Sequence, residues 1–72
     1  MTIRTQSGSA YNFVCKNDKL YVQKGMSEGV VTAISDIEIG KQLVITYRPL
    51  NMFCQESSET TTIQTSPVVS IT

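Results

Sequence analysis

The chain has 72 residues, no His, two Cys, and six basic against six acidic side chains, for a formal charge of zero. That balance disfavours nucleic acid, whose binders carry a basic excess clustered on one face. The missing imidazole removes Ser–His and Cys–His nucleophiles, and no stretch approaches the length of a membrane span. Nine Thr, seven Val and seven Ile, with no segment of helical period, point to β structure, because side chains branched at Cβ pack well on a pleated sheet. The expected fold is all-β: one domain over residues 1–72, a small antiparallel β-barrel or compact sheet of five to seven short strands.

Ile3 to Cys15 alternates, with Ile3, Thr5, Ser7, Ser9, Tyr11, Phe13 and Cys15 on one parity. It reads as one strand, or as two broken at Ser7-Gly8-Ser9 where Gly8 can take positive φ. Lys16-Asn17-Asp18 is a turn signal. Lys19–Lys24 is the returning strand, with Leu20 and Val22 on one face and Tyr21 on the other. Gly25-Met26-Ser27-Glu28-Gly29 reads as a breaker, and Val30–Ser35 as a short strand buried on both faces. Asp36–Lys41, ending at a glycine, suits a tight connection. The strongest strand is Gln42–Arg48, stopped by Pro49, with Leu43, Ile45 and Tyr47 sharing a face. Gln55–Glu59 has the composition of a loop tip. Thr60–Thr72 is extended, and Pro67 marks an edge or a bend because it cannot donate to a ladder. Ile3–Ser7 and Ile63–Val69 are the candidates to pair and close the sheet. A single helical turn fits only Ser27–Glu28 or Met52–Glu56.

A domain this short buries only about 60% of its unfolded surface, and such domains usually add a disulfide, a metal or a partner subunit. With no His and with Cys15 far from Cys54 in sequence, a zinc site lacks closely spaced ligands. The polar stretch Met1–Ala10 is unlike a secretory leader, which implies a cytoplasmic chain with reduced thiols. Both cysteines have apolar neighbours and read as small core residues. No cofactor is implied. Self-association remains, so a homo-oligomer is expected.

The six carboxylates are scattered through turns, where solvation explains them, and the chain reads as a non-enzyme. Two polar patterns stand out. Thr5-Gln6-Ser7-Gly8-Ser9-Ala10-Tyr11 sets hydroxyls and a glycine ahead of an aromatic, and Thr65-Ser66-Pro67-Val68 sets two hydroxyls before a rigid proline. Ser/Thr hydroxyls and free N–H groups can receive anionic oxygens. Turn chemistry explains the same residues through local side chain–backbone bonds. On that second reading, changing Ser7 or Thr65 to Ala alters little.

These residues carry a resemblance. Thr5-x-Ser7-Gly8-Ser9-x-Tyr11, a strand ending near Pro49-Leu50, and Thr65-Ser66-Pro67-Val68-x-x-Ile71 resemble a group of short, uncharacterised bacterial and phage-type β-rich proteins. The resemblance implies that both ends belong to one folded unit, and it lends no activity; it does not extend to Val14–Gly40. The functional expectation is a binding protein acting by occupancy. It would sequester a small anionic, nucleotide-like ligand at Thr5, Ser7, Gly8, Ser9, Tyr11, Thr65 and Ser66. The alternative is a protein-binding inhibitor or adaptor that uses an exposed β edge near Pro67, or a face bearing Tyr21 and Tyr47.

Overall fold

The alternating ends of the chain close the molecule. In the computed structural model, which describes residues 1–53 and 55–72, six strands follow in order. They are β1 (Thr2–Thr5), β2 (Ala10–Lys16), β3 (Lys19–Lys24), β4 (Ser27–Ile34), β5 (Gln42–Pro49) and β6 (Thr61–Ile71). Each pairs antiparallel with its sequence neighbour, and β1 pairs with β6 through Ile3↔Ile71, Arg4↔Ser70 and Thr5↔Val68. The sheet is therefore a closed six-stranded barrel, and closure leaves every strand with two hydrogen-bonded neighbours. That removes the exposed edge proposed near Pro67. Pro67 pairs with Gln42 beside a register shift, so the chain bends there without ending the sheet.

Local chemistry sets the turns. Asn17 and Asp18 sit at φ 53° and 61° between the paired Lys16 and Lys19. Two positive φ values in a two-residue loop define a type I′ hairpin turn, which Asn and Asp tolerate better than most side chains. At the N-terminal turn, Thr5 N–H donates to Ser9 O and Gly8 N–H to Thr5 O, both at 2.9 Å, with Gly8 at φ +92°. A Cβ added at Gly8 would meet nothing within 4 Å, so a side chain there suffers only the left-handed backbone. Gly8→Ala is expected to cost about 1 kcal/mol, measured as a lower urea midpoint at unchanged slope.

Three segments depart from expectation. The breaker after β3 shrinks to Gly25-Met26; Ser27-Glu28-Gly29 already belong to β4, paired with Lys24, Gln23 and Val22, so no helical turn forms there. β4 is not buried on both faces throughout, because Thr32 and Ala33 are exposed at a bulge opposite β5. Asp36–Lys41 is more than a tight connection. It runs beside β6, where Ile39 bridges Val68 in parallel and Gly40 N–H donates to Val68 O at 2.7 Å. Ile37 from this segment packs against the core.

Inside the barrel lie Ile3, Tyr11, Phe13, Val22, Leu43, Ile45 and Val68. Gly29 faces inward opposite Val22, and the Tyr47 ring takes the space its side chain would fill. Cys15 continues the inward parity of β2 but reaches it at the last turn before the hairpin, beyond the core. It is an exposed free thiol, not the core residue expected; Cys54 lies outside the described residues.

The chain after β5 folds back as a strap. Leu50 N–H donates to Glu28 O at 2.9 Å, Leu50 bridges Glu56, and Ser57 N–H donates to Pro49 O at 2.9 Å. Met52 and Phe53 form a turn, not a helix, with Asn51 Oδ1 accepting from Phe53 N–H at 2.8 Å and Gln55 N–H at 3.0 Å. Val30, outside the core cluster, is buried where Tyr21, Leu50 and Glu56 line the same notch. Lys19 Nζ reaches Glu56 Oε2 at 2.8 Å across this strap. That hydrogen bond lowers the Glu56 pKa and raises that of Lys19. Its contribution is therefore present between the two titrations. It is lost as pH falls through the lowered carboxylate value, or rises through the raised ammonium value. Protection of the Ser57 amide, taken relative to its intrinsic exchange rate at each pH, is expected to fall below the carboxylate range and with added salt, and Glu56→Gln should abolish both changes in protection.

Candidate functional site: the barrel mouth

An up-and-down barrel sends alternate connections to opposite ends. The β1–β2 turn, the Gly25-Met26 turn and the β5–β6 strap therefore leave at one end, and the β2–β3 turn and β4–β5 segment at the other. At the first end the interior is open. A cleft of about 370 Å³ is lined by Tyr11 of β2, Lys24 of β3, Ser27 and Gly29 of β4, Tyr47 of β5 and Ile63 of β6. Its volume falls in the range of small-molecule sites, and the apolar Tyr11, Val22, Tyr47 and Ile63 share its lining with Lys24, Ser27, Glu28 and Gln64.

The register brings these side chains together. Asn12 pairs with Gln23, so Tyr11 and Lys24 stand opposite one another one step toward the mouth. The Lys24 ammonium lies 5.2 Å from the Tyr11 ring centroid, within the reach of a cation–π contact. Gly29 clears room for the Tyr47 ring, which forms the facing wall. On the outer surface a chain of side-chain bonds pins β1 to β4 together. Thr2 Oγ1 donates to Asn12 Oδ1 at 3.3 Å, Asn12 Nδ2 to Gln23 Oε1 at 3.1 Å, and Gln23 Nε2 to Glu28 Oε2 at 2.6 Å. The Lys24 side chain thus projects from a rigid wall and makes no ion pair with the described carboxylates.

The two hydroxyl patterns meet, at the β1–β6 seam. Ser7 N–H donates to Ser66 Oγ at 3.0 Å, Ser66 Oγ to Ser7 Oγ at 3.1 Å, and Gln6 N–H to Pro67 O at 2.8 Å. Thr5 Oγ1 lies 3.3 Å from Ser7 Oγ, and Ser7 Oγ lies 3.5 Å from that of Ser9. The backbone donors of Ser7 and Gly8 are thereby engaged within the chain. Thr65 is buried, accepting Leu43 N–H at 3.1 Å and donating to Ser66 O at 2.7 Å. That position overturns the expectation that Thr65 is replaceable at little cost. Ser7 is exposed, and Ser7→Ala should change stability by only about 0.5 kcal/mol.

Tyr11 turns from the seam into the mouth. Tyr47 joins it there, while Tyr21 lies on the outer wall with Lys16 Nζ 4.9 Å from its ring centroid. The two tyrosines proposed to share a face are therefore on opposite sides of the sheet. Lys24, Ser27, Gly29, Ile63 and Gln64 were not singled out by sequence. The signal for Lys24 was present in the hairpin register, which sets it across from Tyr11 once the Asn17-Asp18 turn is fixed.

Among the described residues no helix is long and apolar enough to cross a membrane, and no cluster of His, Cys, Asp and Glu is placed to hold a metal. No family model, curated protein or solved structure matches the chain.

Proposed function

We propose that the chain is a non-enzymatic binding protein that acts by occupancy, holding a small anionic ligand with a planar ring, of nucleotide type, in the barrel mouth. The observation that carries this reading is the open cleft with the Lys24 ammonium over the Tyr11 ring at one wall and Tyr47 at the other. The ammonium supplies the anion contact, and the space between Tyr47 and Ile63 accepts a ring. Ser27 and Gln64 offer polar atoms at the margin. The mouth is preferred to the hydroxyl seam because the seam's backbone donors already serve the fold. The enzyme reading is set aside because the chain has no His to activate a Ser or Cys nucleophile.

Calorimetric titration with adenosine monophosphate, cyclic adenosine monophosphate and a cyclic dinucleotide tests the proposal. At least one is expected to bind, and Lys24→Gln should weaken it about tenfold or more, the loss of a hydrogen bond to a charged group. Heats indistinguishable from dilution for all three would refute it.

A further inference from the structure

Tyr11 carries a polar group that the fold does not use. The residue is only 6% exposed, yet its hydroxyl has no hydrogen-bond partner among the described residues. Buried tyrosines ordinarily find such a partner. Among the described residues no polar side-chain atom is both shut off from solvent and unpaired, so this oxygen is not sealed in with its ring. It opens onto the cleft that the ring lines. Phenylalanine would serve the core as well, as Phe13 does at the next inward position of β2. The hydroxyl therefore serves something that enters the mouth.

Two more donors stand beside it. Lys24 and Ser27 are cross-strand partners of β3 and β4, separated only by the Gly25-Met26 turn. Side chains directly opposite one another keep their Cβ atoms within about 5.5 Å, and both of these line the cleft. Among the described residues Lys24 makes no ion pair, and the Ser27 hydroxyl makes no hydrogen bond. The Lys24 ammonium lies 5.2 Å from the Tyr11 ring centroid. Hydrogen bonds to neighbouring oxygens of one phosphoryl group span donors roughly 5–7 Å apart, so a single such group can meet all three.

Oxygens and charges narrow the class. Three donor side chains match the three terminal oxygens of a phosphomonoester, which carries about −1.5 to −2 near neutrality. A phosphodiester offers only two unbridged oxygens. A second phosphate would find no cation. Lys16 and Lys19 flank the β2–β3 turn and Lys41 closes the β4–β5 segment, both at the opposite end. Arg4, between the buried Ile3 and Thr5, points outward, and Arg48 pairs with Val30 on the outer wall that holds Tyr21. Glu28, held by Gln23 on the outer side of β4, adds negative charge instead.

We infer that the Tyr11 hydroxyl, the Lys24 ammonium and the Ser27 hydroxyl together hold one terminal phosphomonoester, so that the ligand class is a nucleoside monophosphate. The inference rests on the mouth being the ligand site and deepens that reading, assigning Tyr11 and Ser27 as specificity-determining residues.

Calorimetric titration of the wild type, Tyr11→Phe and Ser27→Ala with adenosine mono-, di- and triphosphate, cyclic adenosine monophosphate and a cyclic dinucleotide tests this. Tyr11→Phe keeps the ring that packs in the core, Ser27 is exposed, and unchanged melting temperatures verify that both variants fold. The monophosphate is expected to bind at least as tightly as the di- and triphosphate, and about tenfold or more tighter than its cyclic diester. Each substitution should weaken the monophosphate by about three- to tenfold. Monophosphate affinity unchanged in both variants would overturn the inference and leave the ligand reading standing. So would affinity that climbs with each added phosphate, or binding by the cyclic diesters alone. Silence from every nucleotide overturns both.

Discussion

Gly29→Ala is expected to destabilise the barrel by about 1–3 kcal/mol, the cost of overpacking, although local propensity says the reverse. Glycine inside a strand is worth roughly 0.5–1 kcal/mol less than alanine. Here the added Cβ would collide with Cδ2 of Tyr47 and stand 3.1 Å from the Arg48 carbonyl oxygen. Cδ2 is close to the ring's attachment, so relief requires the whole ring to swing toward the mouth and open the core behind it. The packing cost exceeds the propensity gain. At roughly 4–8 °C per kcal/mol for a domain of this size, the melting temperature should fall visibly. Removing the ring should reverse the sign: in a Tyr47→Leu background, Gly29→Ala is expected to be neutral or stabilising. Additive effects in that double-mutant cycle would contradict the assigned contact.

The second large effect is expected at Thr65. Between Gln42 and Val44 the β5–β6 ladder shifts register, and Leu43 N–H there donates to the Thr65 hydroxyl in place of a backbone carbonyl. Thr65→Val keeps the shape and removes the acceptor, leaving a buried N–H without its partner at a cost of about 1–3 kcal/mol. Thr65→Ser keeps the oxygen and should lose far less. Amide exchange at Leu43 separates the two: it should accelerate in the valine variant and remain protected in the serine variant. Equal stabilities for the valine and serine variants would show that the hydroxyl is not what holds the seam.

These two positions show where sequence was readable and where it was not. Strands with clean alternation were legible, because side-chain direction follows parity alone. Leu43, Ile45 and Tyr47 do face one side, and Ile3–Thr5 does pair with the C-terminal strand. Turns built from residues with local preferences were legible as well, as at Asn17-Asp18 and Gly8. What escaped depends on residues distant in sequence. Gly29 resembled a loop glycine because only Tyr47, across the β4–β5 pair, explains its absent side chain. Thr65 resembled a turn or ligand hydroxyl because its partner, Leu43, is brought to it by a register shift. The mouth was half visible: Tyr11 and Tyr47 were named, but the cleft exists only once β2 to β6 curve around it. The fold of the strap after Leu50 was missed altogether, since polar composition there says loop without saying where it docks.

On the proposed function, the open end of the barrel, not the hydroxyl seam, receives the ligand. Two-dimensional amide NMR during titration with adenosine monophosphate measures that most directly, because mouth and seam residues report separately. The expected result is saturable shifts centred on Tyr11, Lys24, Ser27, Gly29 and Tyr47, with Ser7, Gly8 and Ser66 moving little. Shifts centred on Ser7–Ser9 and Ser66 with a silent Lys24, or no saturable shifts at all, would contradict it.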